Sequence, residues 1–241
     1  MQVEQKFFIG IQDVGLNNEI TNKAILEAMS NMANIHGNIV SQGLKDLDKT
    51  HLSWIVLNWK LEVYKRPKVC ETILVRTWAQ EHSNVQANRE YEVLNEKNEI
   101  VAKATSKWIA LNTLTERPEK LTEEVIGVYK NEPEHKNFPN YQFEKINEDE
   151  LNFISKIEFK VNKSMIDYNN HVHNTAYLDL VREILPEEMD KINYNNIEIA
   201  YKKAIKPHEK VIIEYAKKED KNYVFIKNED ESMLHSIIVF Y

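Results

Sequence analysis

The sequence has very little of what would cross-link the chain. Cys70 is the only cysteine among 241 residues, so no disulfide can form within the chain, and this fits a reducing compartment. A chain of this length can bury a large core without such links. Apolar and charged residues make up 42% and 29% of it, which are ordinary shares for a globular protein.

The sequence also lacks an excess of positive charge and a long apolar run. The formal net charge is -7 with Lys and Arg scattered along the chain, so there is no basic footprint for nucleic acid. No apolar stretch is long enough to span a membrane. The start, MQVEQKFFIGIQ, has no basic segment followed by a long apolar one and does not resemble a signal peptide. We therefore expect a soluble, cytoplasmic protein that binds neither nucleic acid nor membranes.

What is present is one pattern of strands and a helix that occurs twice. In the first half, apolar residues recur at helical spacing and are followed by alternating strand patterns. The apolar helix positions are Ile20, Ala24, Ile25, Ala28, Met29, Met32 and Ala33. In the second half, a strand pattern at 156–161 precedes a helix pattern at 176–185, which Pro186 ends, and four strand patterns follow. The order predicts an α+β fold with antiparallel sheets and an internal duplication.

A polar stretch stands directly before the second helix and has only a partial counterpart before the first. It packs an acid, amides and two imidazoles into positions 167–174. Unpaired N–H groups and the dipole at a helix start favour negative charge there, so such a cluster can orient water and polarise a carbonyl. Helix capping by Asp and Asn is the competing interpretation. Aligning Ile20 with Val172 pairs Gly15 with Asp167 and Glu19 with His171, so the full polar set is expected in one copy only, which favours a site.

The sequence resembles the acyl-ACP thioesterase family in two blocks that together run over nearly the whole chain. The first block holds Trp54-Ile55-Val56-Leu57, Val63 to Pro67, Glu71-Thr72, Trp78 and Ser106-Lys107-Trp108. The second holds Asp167-x-Asn169-x-His171-Val172-x-Asn174-x-x-Tyr177 and then Glu198-x-x-Tyr201. The aspartate, asparagine, histidine and valine of the second block form the more specific motif, because they lie before the helix of a second repeat.

The resemblance implies a tandem double hotdog, in which each repeat is a long helix wrapped by an antiparallel β-sheet. We expect an N-terminal repeat at 1–115, on the acyl-pocket side, a connector at 116–150 and a C-terminal repeat with the catalytic motif at 151–241. A fused pair of hotdogs already supplies the pairing that single hotdogs obtain by dimerising. The sequence leaves a monomer and a homodimer open.

The resemblance also implies a reaction, the hydrolysis of the thioester that links a fatty acyl chain to acyl carrier protein. The catalytic residues of the family fall on Asp167, Asn169 and His171. These side chains would orient a water molecule and donate to the carbonyl or the leaving thiolate. The early helix N–H groups at Val172 and His173, with Asn174 beside them, would position the substrate and stabilise the oxyanion. No cofactor and no metal are implied.

The chain departs from the family at one position. Where the family usually carries Glu, often followed by Cys in plant members, the spacing from Glu198 and Tyr201 places Ala204 and Ile205. Neither can carry a proton, and Cys70 lies in the other repeat. Asp167 then acts as the base alone, or another carboxylate such as Glu198 substitutes, or activity is weak. We expect His173, which stands where the family commonly has Asn, to be peripheral.

Several other residues are candidates for binding, and each also has an ordinary structural explanation. Met29, Met32 and Trp59 are candidates for the acyl pocket, although core packing explains each of them singly. Lys202, Lys203 and Lys206 are candidates for contact with acidic carrier protein, although a solvated strand end explains them equally well. His171 and His173 with Asp167 could bind a metal, but residues two apart do not share a helix face.

The leading hypothesis is therefore an acyl-ACP thioesterase that releases free fatty acid. A hotdog enzyme acting on acyl-CoA is the first alternative. A catalytically weak acyl-carrier or lipid-binding module is the second, and Ala204 motivates it. The length of the acyl chain cannot be read from the sequence, because the depth of a tunnel depends on packing.

Overall fold

A computed structural model describes residues 1–143 and 145–241, which fall into two compact units, Met1–Tyr141 and Gln142–Tyr241. Each unit is an antiparallel β-sheet with a helix packed against it. The two share one strand order, which confirms the α+β class, the double hotdog and the internal duplication. Within the described residues, no helix is both long and apolar enough to cross a lipid bilayer.

The first unit contains the longer helix and, apart from its first strand, the longer strands. Its elements are β1 (Val3–Phe8), α1 (Asn22–Ile39), α2 (Leu47–Thr50), β2 (Leu52–Val63), β3 (Thr72–His82), β4 (Gln86–Leu94), β5 (Ile100–Asn112), β6 (Arg117–Pro118) and α3 (Glu123–Ile126). The sheet runs in the order β1-β3-β4-β5-β2, and β6 pairs with β5. The side chain of Thr21 accepts the Ala24 N–H at 3.2 Å and so starts α1.

The apolar face predicted for the first helix is the face that α1 buries. Ile25, Met29 and Met32 on that face are at most 1% exposed, and α1 lies against β3 and β1. Burying such a side chain contributes roughly 1.5–3 kcal/mol relative to leaving it in water. This face therefore fixes the helix on its sheet.

The second unit repeats the arrangement with a shorter helix and, except for its first strand, shorter strands. Its elements are β7 (Phe153–Lys160), α4 (Tyr177–Ile184), α5 (Glu187–Asp190), β8 (Asn196–Tyr201), β9 (Lys210–Lys218), β10 (Lys221–Asn228) and β11 (Leu234–Phe240). The sheet order is β7-β9-β10-β11-β8, the same as β1-β3-β4-β5-β2 in the first unit. Leu180, Val181 and Ile184 form the buried face of α4, which contacts β9 and β7.

The helix of the second unit is shorter than the long helix expected for each repeat. α1 has 18 residues and α4 has eight, preceded by a single 3-10 turn at Asn174–Ala176. Leu185 is extended, and Pro186 follows it. Proline disfavours a helical conformation in the residue before it and has no N–H to continue the helix. The helix of the second unit therefore ends where Pro186 was predicted to end it, and the helix of the first unit is the longer of the two.

Most of the segment expected as a connector packs within the first unit. Leu121, Ile126 and Tyr129 are buried and form a core cluster with alanines of β3, β4 and β5. Trp78 donates to the His135 carbonyl at 2.8 Å. The first compact unit thus extends to Tyr141, because this segment carries apolar residues that cover the sheet.

Glu90 on β4 is a buried carboxyl in the first unit. It is 5% exposed, accepts the Thr105 hydroxyl at 2.9 Å and accepts the Asn137 N–H at 3.3 Å. Burial raises the pKa of Glu90 from 4.5 to about 7, even though both hydrogen bonds lower it. Between about pH 4.5 and pH 7, the folded protein therefore holds a proton here that the unfolded chain releases.

Glu90→Gln should flatten part of the pH dependence of stability. The raised pKa of Glu90 contributes stability that is fully present below about pH 4.5 and is lost as the pH rises through about 7. That contribution is on the order of 3 kcal/mol. Urea denaturation of both proteins from pH 4.5 to pH 8 should show the variant gaining on the wild type as the pH rises. A difference that stays constant over this range contradicts the assignment.

Candidate functional site

The polar stretch forms a tight turn between two short 3-10 turns. Ile166 and Val172 pair as an antiparallel bridge, and the Asp167 N–H donates to the His171 carbonyl at 2.8 Å. The Asn170 N–H donates to the Asp167 carbonyl at 3.0 Å, and Asn170 itself has φ of 60°. Asparagine tolerates this left-handed conformation better than most residues.

The first unit contains the same turn at the positions that the sequence alignment assigned. Val14 bridges Ile20, and the Gly15 N–H donates to the Glu19 carbonyl at 2.9 Å. Asn18 has φ of 63°, and its N–H donates to the Gly15 carbonyl at 3.0 Å. The register that pairs Ile20 with Val172 is therefore confirmed at the level of backbone hydrogen bonds.

The side chains of the turn at 166–172, called the motif turn below, differ in whether they make hydrogen bonds. Asp167 Oδ1 accepts the Asn169 N–H at 2.8 Å and the His171 N–H at 3.3 Å. The carboxylate thus holds the turn together. Within residues 1–143 and 145–241, the side chains of Asn169 and His171 have no hydrogen-bond partner.

The corresponding side chains of the first unit bind each other. Asn17 stands at the position of Asn169, and its Nδ2 donates to Glu19 Oε2 at 2.9 Å. Asn17 Oδ1 accepts the Glu19 N–H at 3.3 Å. The first turn pairs its polar side chains with each other, whereas the amide of Asn169 and the imidazole of His171 have no partner among the described residues.

The backbone N–H groups expected to stabilise an oxyanion are already engaged. The Val172 N–H donates to the Ile205 carbonyl at 2.9 Å, and the His173 N–H donates to the Met165 carbonyl at 2.8 Å. A paired N–H cannot also bind a developing oxyanion without losing its partner. That part of the expectation is corrected, because distant backbone carbonyls take both donors.

His173 and Tyr201 fix the start of the second helix. His173 Nδ1 accepts the Thr175 N–H at 3.4 Å and lies 2.8 Å from the Thr175 hydroxyl, so the imidazole caps the 3-10 turn. The Tyr201 hydroxyl donates to the Asn174 carbonyl at 2.7 Å. The ring of Tyr201 meets that of Tyr177 edge to face, with centroids 5.1 Å apart.

The first unit carries a different residue at the position equivalent to Ala204. The Ile20 N–H donates to the Pro67 carbonyl as the Val172 N–H donates to Ile205, so Arg66 in the first unit occupies the place of Ala204. Arg66 donates to the Ile20 carbonyl at 3.0 Å and to Asn22 Oδ1 at 2.9 Å.

Asn174, the counterpart of Asn22, has no such donor. Its Oδ1 is buried and has no hydrogen-bond partner among the described residues. Leaving a buried acceptor unpaired typically costs about 1–3 kcal/mol. The second unit therefore presents a polar atom that the first unit keeps occupied.

The sequence suggested Glu198 as a substitute for the glutamate expected at position 204, and Glu209 is a further carboxylate of this unit. Successive strand residues face opposite sides, so Glu198 on β8 points away from the face that carries Tyr201. Glu209 lies in the turn before β9, and its Oε2 accepts the Lys206 N–H at 3.1 Å. Burial raises the pKa of the Tyr177 hydroxyl above its usual range, and the charges of Glu209 and Asp167 raise it further.

The remaining predicted residues lie as follows. Met29, Met32 and Trp59 are fully buried in the first unit, and Trp59 packs on Tyr91 with ring centroids 4.9 Å apart. Lys202, Lys203 and Lys206 are exposed. The part of the chain that the structure describes contains no group of three or more His, Cys, Asp or Glu placed to hold a metal ion.

Comparison with known proteins identifies the family. The model of the acyl-ACP thioesterase N-terminal domain matches residues 1–129, and that of the C-terminal domain matches residues 148–238. The chain belongs to the acyl-ACP thioesterase family. The two family domains fall on the two units of the structure, and the motif turn lies in the C-terminal one.

Individual relatives agree with this assignment. The chain is 28% identical over 205 residues to an oleoyl-acyl carrier protein thioesterase 2 of Arabidopsis thaliana, covering 77% of this chain and 54% of the relative. It is 25% identical over 195 residues to a palmitoyl-acyl carrier protein thioesterase of Gossypium hirsutum, covering 76% and 46%. The chain thus spans about half the length of the curated relatives it matches.

Solved structures support the fold. An acyl-ACP thioesterase from Bacteroides thetaiotaomicron superimposes with a TM-score of 0.86 at 18% identity, covering 99% of this chain and 96% of that one. A 12:0-ACP thioesterase from Umbellularia californica gives 0.82 at 18% identity with the same coverage. At these identities the likeness establishes the shared fold of this family member and nothing finer.

Asp167 should be replaceable by asparagine but not by alanine if its structural role is to hold the turn. Asp167→Asn keeps an oxygen that can accept both N–H groups, so stability should change by less than about 0.5 kcal/mol. Asp167→Ala removes the acceptor and should cost about 1–2 kcal/mol in urea denaturation. Equal stability of the two variants contradicts the assignment.

Proposed function

We propose that this member of the acyl-ACP thioesterase family hydrolyses the thioester of a fatty acyl chain carried on acyl carrier protein. The observation that carries the proposal is the difference between two turns with the same backbone. The first pairs Asn17 with Glu19, whereas the second leaves Asn169, His171 and Asn174 Oδ1 unpaired among the described residues. Polar groups kept unpaired on an ordered turn are suited to a substrate or a reacting water.

The proposed reaction needs an oriented water and a proton donor. The oxygen of water attacks the thioester carbonyl, the C–S bond breaks, and the thiolate takes a proton. Asn169 and Asn174 Oδ1 hold the water or the substrate, and His171 takes a proton from the water and returns it to the sulfur. Asp167 keeps His171 in place through the backbone, since its Oδ1 accepts the His171 N–H at 3.3 Å. The N–H groups of Val172 and His173 hold the motif turn through backbone hydrogen bonds and do not bind the oxyanion.

The remaining assignments follow the resemblance. The acyl chain would lie in the first unit, where Met29, Met32 and Trp59 form part of a buried apolar region. The exposed Lys202, Lys203 and Lys206 would face acidic carrier protein, which suits a chain of net charge -7 that must meet another acidic protein. The same site would also accept an acyl-CoA, and that is the second candidate function.

The main test is hydrolysis of acyl-ACPs of graded chain length by the purified chain. Free fatty acid should be released faster than from the matching acyl-CoAs. His171→Ala should lower the rate by about 100-fold or more, because acid–base action contributes on that scale. Asn169→Ala should lower it as well, and so should Asp167→Ala, whereas Asp167→Asn, which keeps an acceptor for the His171 N–H, should lower it much less.

The matched controls are Asn17→Ala and Glu19→Ala, which make the same changes in the turn of the first unit. Both should hydrolyse at the wild-type rate. Absence of fatty acid release above background, with His171→Ala indistinguishable from the wild type, contradicts the proposal. Retention of acyl-ACP without turnover would instead support the binding module motivated by Ala204, and faster release from acyl-CoA would support the second candidate.

Ala204→Arg should inactivate the chain while stabilising it. The new guanidinium reproduces the contact of Arg66 with Asn22 and gives Asn174 Oδ1 a donor. The free energy of unfolding should rise by about 1 kcal/mol, since a buried acceptor becomes paired. Fatty acid release should fall, because the same atom is no longer available. Ala204→Gln, a long side chain without charge, serves as the control for bulk, and full activity of the arginine variant contradicts the role of Asn174.

A further inference from the structure

His235 on β11 is a fully buried imidazole that the proposed mechanism does not use. Its Nδ1 lies 3.0 Å from the Lys203 carbonyl oxygen, which can only accept, so Nδ1 carries the hydrogen. Its Nε2 has no hydrogen-bond partner in residues 1–143 and 145–241. The nearest carboxylate oxygen, Glu209 Oε2, is 3.8 Å from Nε2.

The fold does not need an imidazole at this place. In the second unit the His235 carbonyl accepts the N–H groups of Lys202 and Lys203 at 2.8 and 3.2 Å. In the first unit the Val101 carbonyl accepts those of Tyr64 and Lys65 at the same distances. Val101 is 1% exposed, so an apolar side chain fills the equivalent position. Burying a polar ring there instead costs free energy unless its nitrogens find partners.

Glu209, by contrast, makes a hydrogen bond that has an equivalent in the first unit. Lys206 N–H donates to Glu209 Oε2 at 3.1 Å, and Lys68 N–H donates to Glu71 Oε2 at 3.0 Å. Each carboxylate therefore holds the equivalent turn of its own unit. Only the second turn has a buried imidazole beside its carboxylate.

This pair is linked to the motif turn through one short segment. His235 binds Lys203, and two residues later the Ile205 carbonyl accepts the Val172 N–H at 2.9 Å. The Ile205 N–H donates to the Tyr177 hydroxyl at 3.3 Å. A change in the position of segment 202–205 is therefore transmitted to Val172, the neighbour of His171.

We propose that His235 and Glu209 form a positioning pair that fixes segment 202–205 against the motif turn and so replaces, in this chain, the family glutamate absent at Ala204. The imidazole holds the segment through the hydrogen bond from its Nδ1–H to the Lys203 carbonyl. The Glu209 carboxylate accepts the Lys206 N–H in the turn that follows and lies 3.8 Å from the imidazole Nε2, so it places the turn beside the imidazole. This inference rests on the proposed hydrolysis and deepens it.

The kinetic test compares equivalent changes in the two units. His235→Val installs the side chain that the first unit carries, so the fold should be retained, while kcat should fall by about 10- to 100-fold because the site is misplaced. Glu209→Gln should lower kcat with KM within about twofold. Glu71→Gln, which changes the equivalent carboxylate of the first unit, should leave both constants unchanged. His235→Gln, which keeps a donor for Lys203, should retain more activity than His235→Val.

A rescue experiment separates positioning from general damage. Adding Ala204→Glu to Glu209→Gln should recover at least part of the lost kcat, because it returns a carboxylate to segment 202–205. Loss of stability alone would not be repaired in this way. Wild-type kcat in His235→Val, an equal loss in Glu71→Gln and Glu209→Gln, or no recovery with Ala204→Glu overturns the pair.

A second measurement does not depend on hydrolysis. In protein with ¹³C-labelled histidine, the ring resonances of His235 should move in Glu209→Gln and stay unchanged in Glu71→Gln. Unchanged resonances in both variants overturn the pair even if the wild type hydrolyses acyl-ACP. A wild type that shows the expected resonance change but releases no fatty acid overturns the proposed function and leaves the pair standing.

Discussion

The backbone bond between the Val172 N–H and the Ile205 carbonyl is the interaction on which the candidate site depends. It ties the motif turn to the segment after β8, as the bond from Ile20 to Pro67 does in the first unit. Because both copies of the fold contain this bond, the turn has the same shape in each. Function can then differ only through the side chains that the shared backbone displays.

In the first unit the side chains of Asn17 and Glu19 bind each other, whereas in the second those of Asn169 and His171 have no partner among the described residues. In the first unit Arg66 donates a hydrogen bond to Asn22 Oδ1. In the second, Ala204 has no donor to offer, and Asn174 Oδ1 has no partner among the described residues. The small side chain of Ala204 therefore leaves unpaired the acceptor whose counterpart Arg66 engages in the first unit. An unpaired buried acceptor reduces stability, and functional sites are where proteins commonly retain such groups.

Much of this architecture follows from the sequence, and the rest does not for a physical reason. Alternation, helical spacing and the duplication predict the fold, and the alignment of Ile20 with Val172 is accurate to the residue. The engagement of the Val172 and His173 N–H groups could not be foreseen, because their partners lie at Ile205 and Met165 and depend on the tertiary fold. His235 was missed for the same reason: its contrast with Val101 appears only when the strands are paired.

In the proposed reaction, the turn of the second unit, and not its copy in the first, receives the reacting group. The most direct test is hydrogen–deuterium exchange of the chain with an acyl-ACP whose thioester is replaced by an amide that is not hydrolysed. Exchange should be slower at residues 165–177 and 202–205 and unchanged at residues 13–25 around the first turn. Equal protection of both turns, or protection of the first alone, would contradict it.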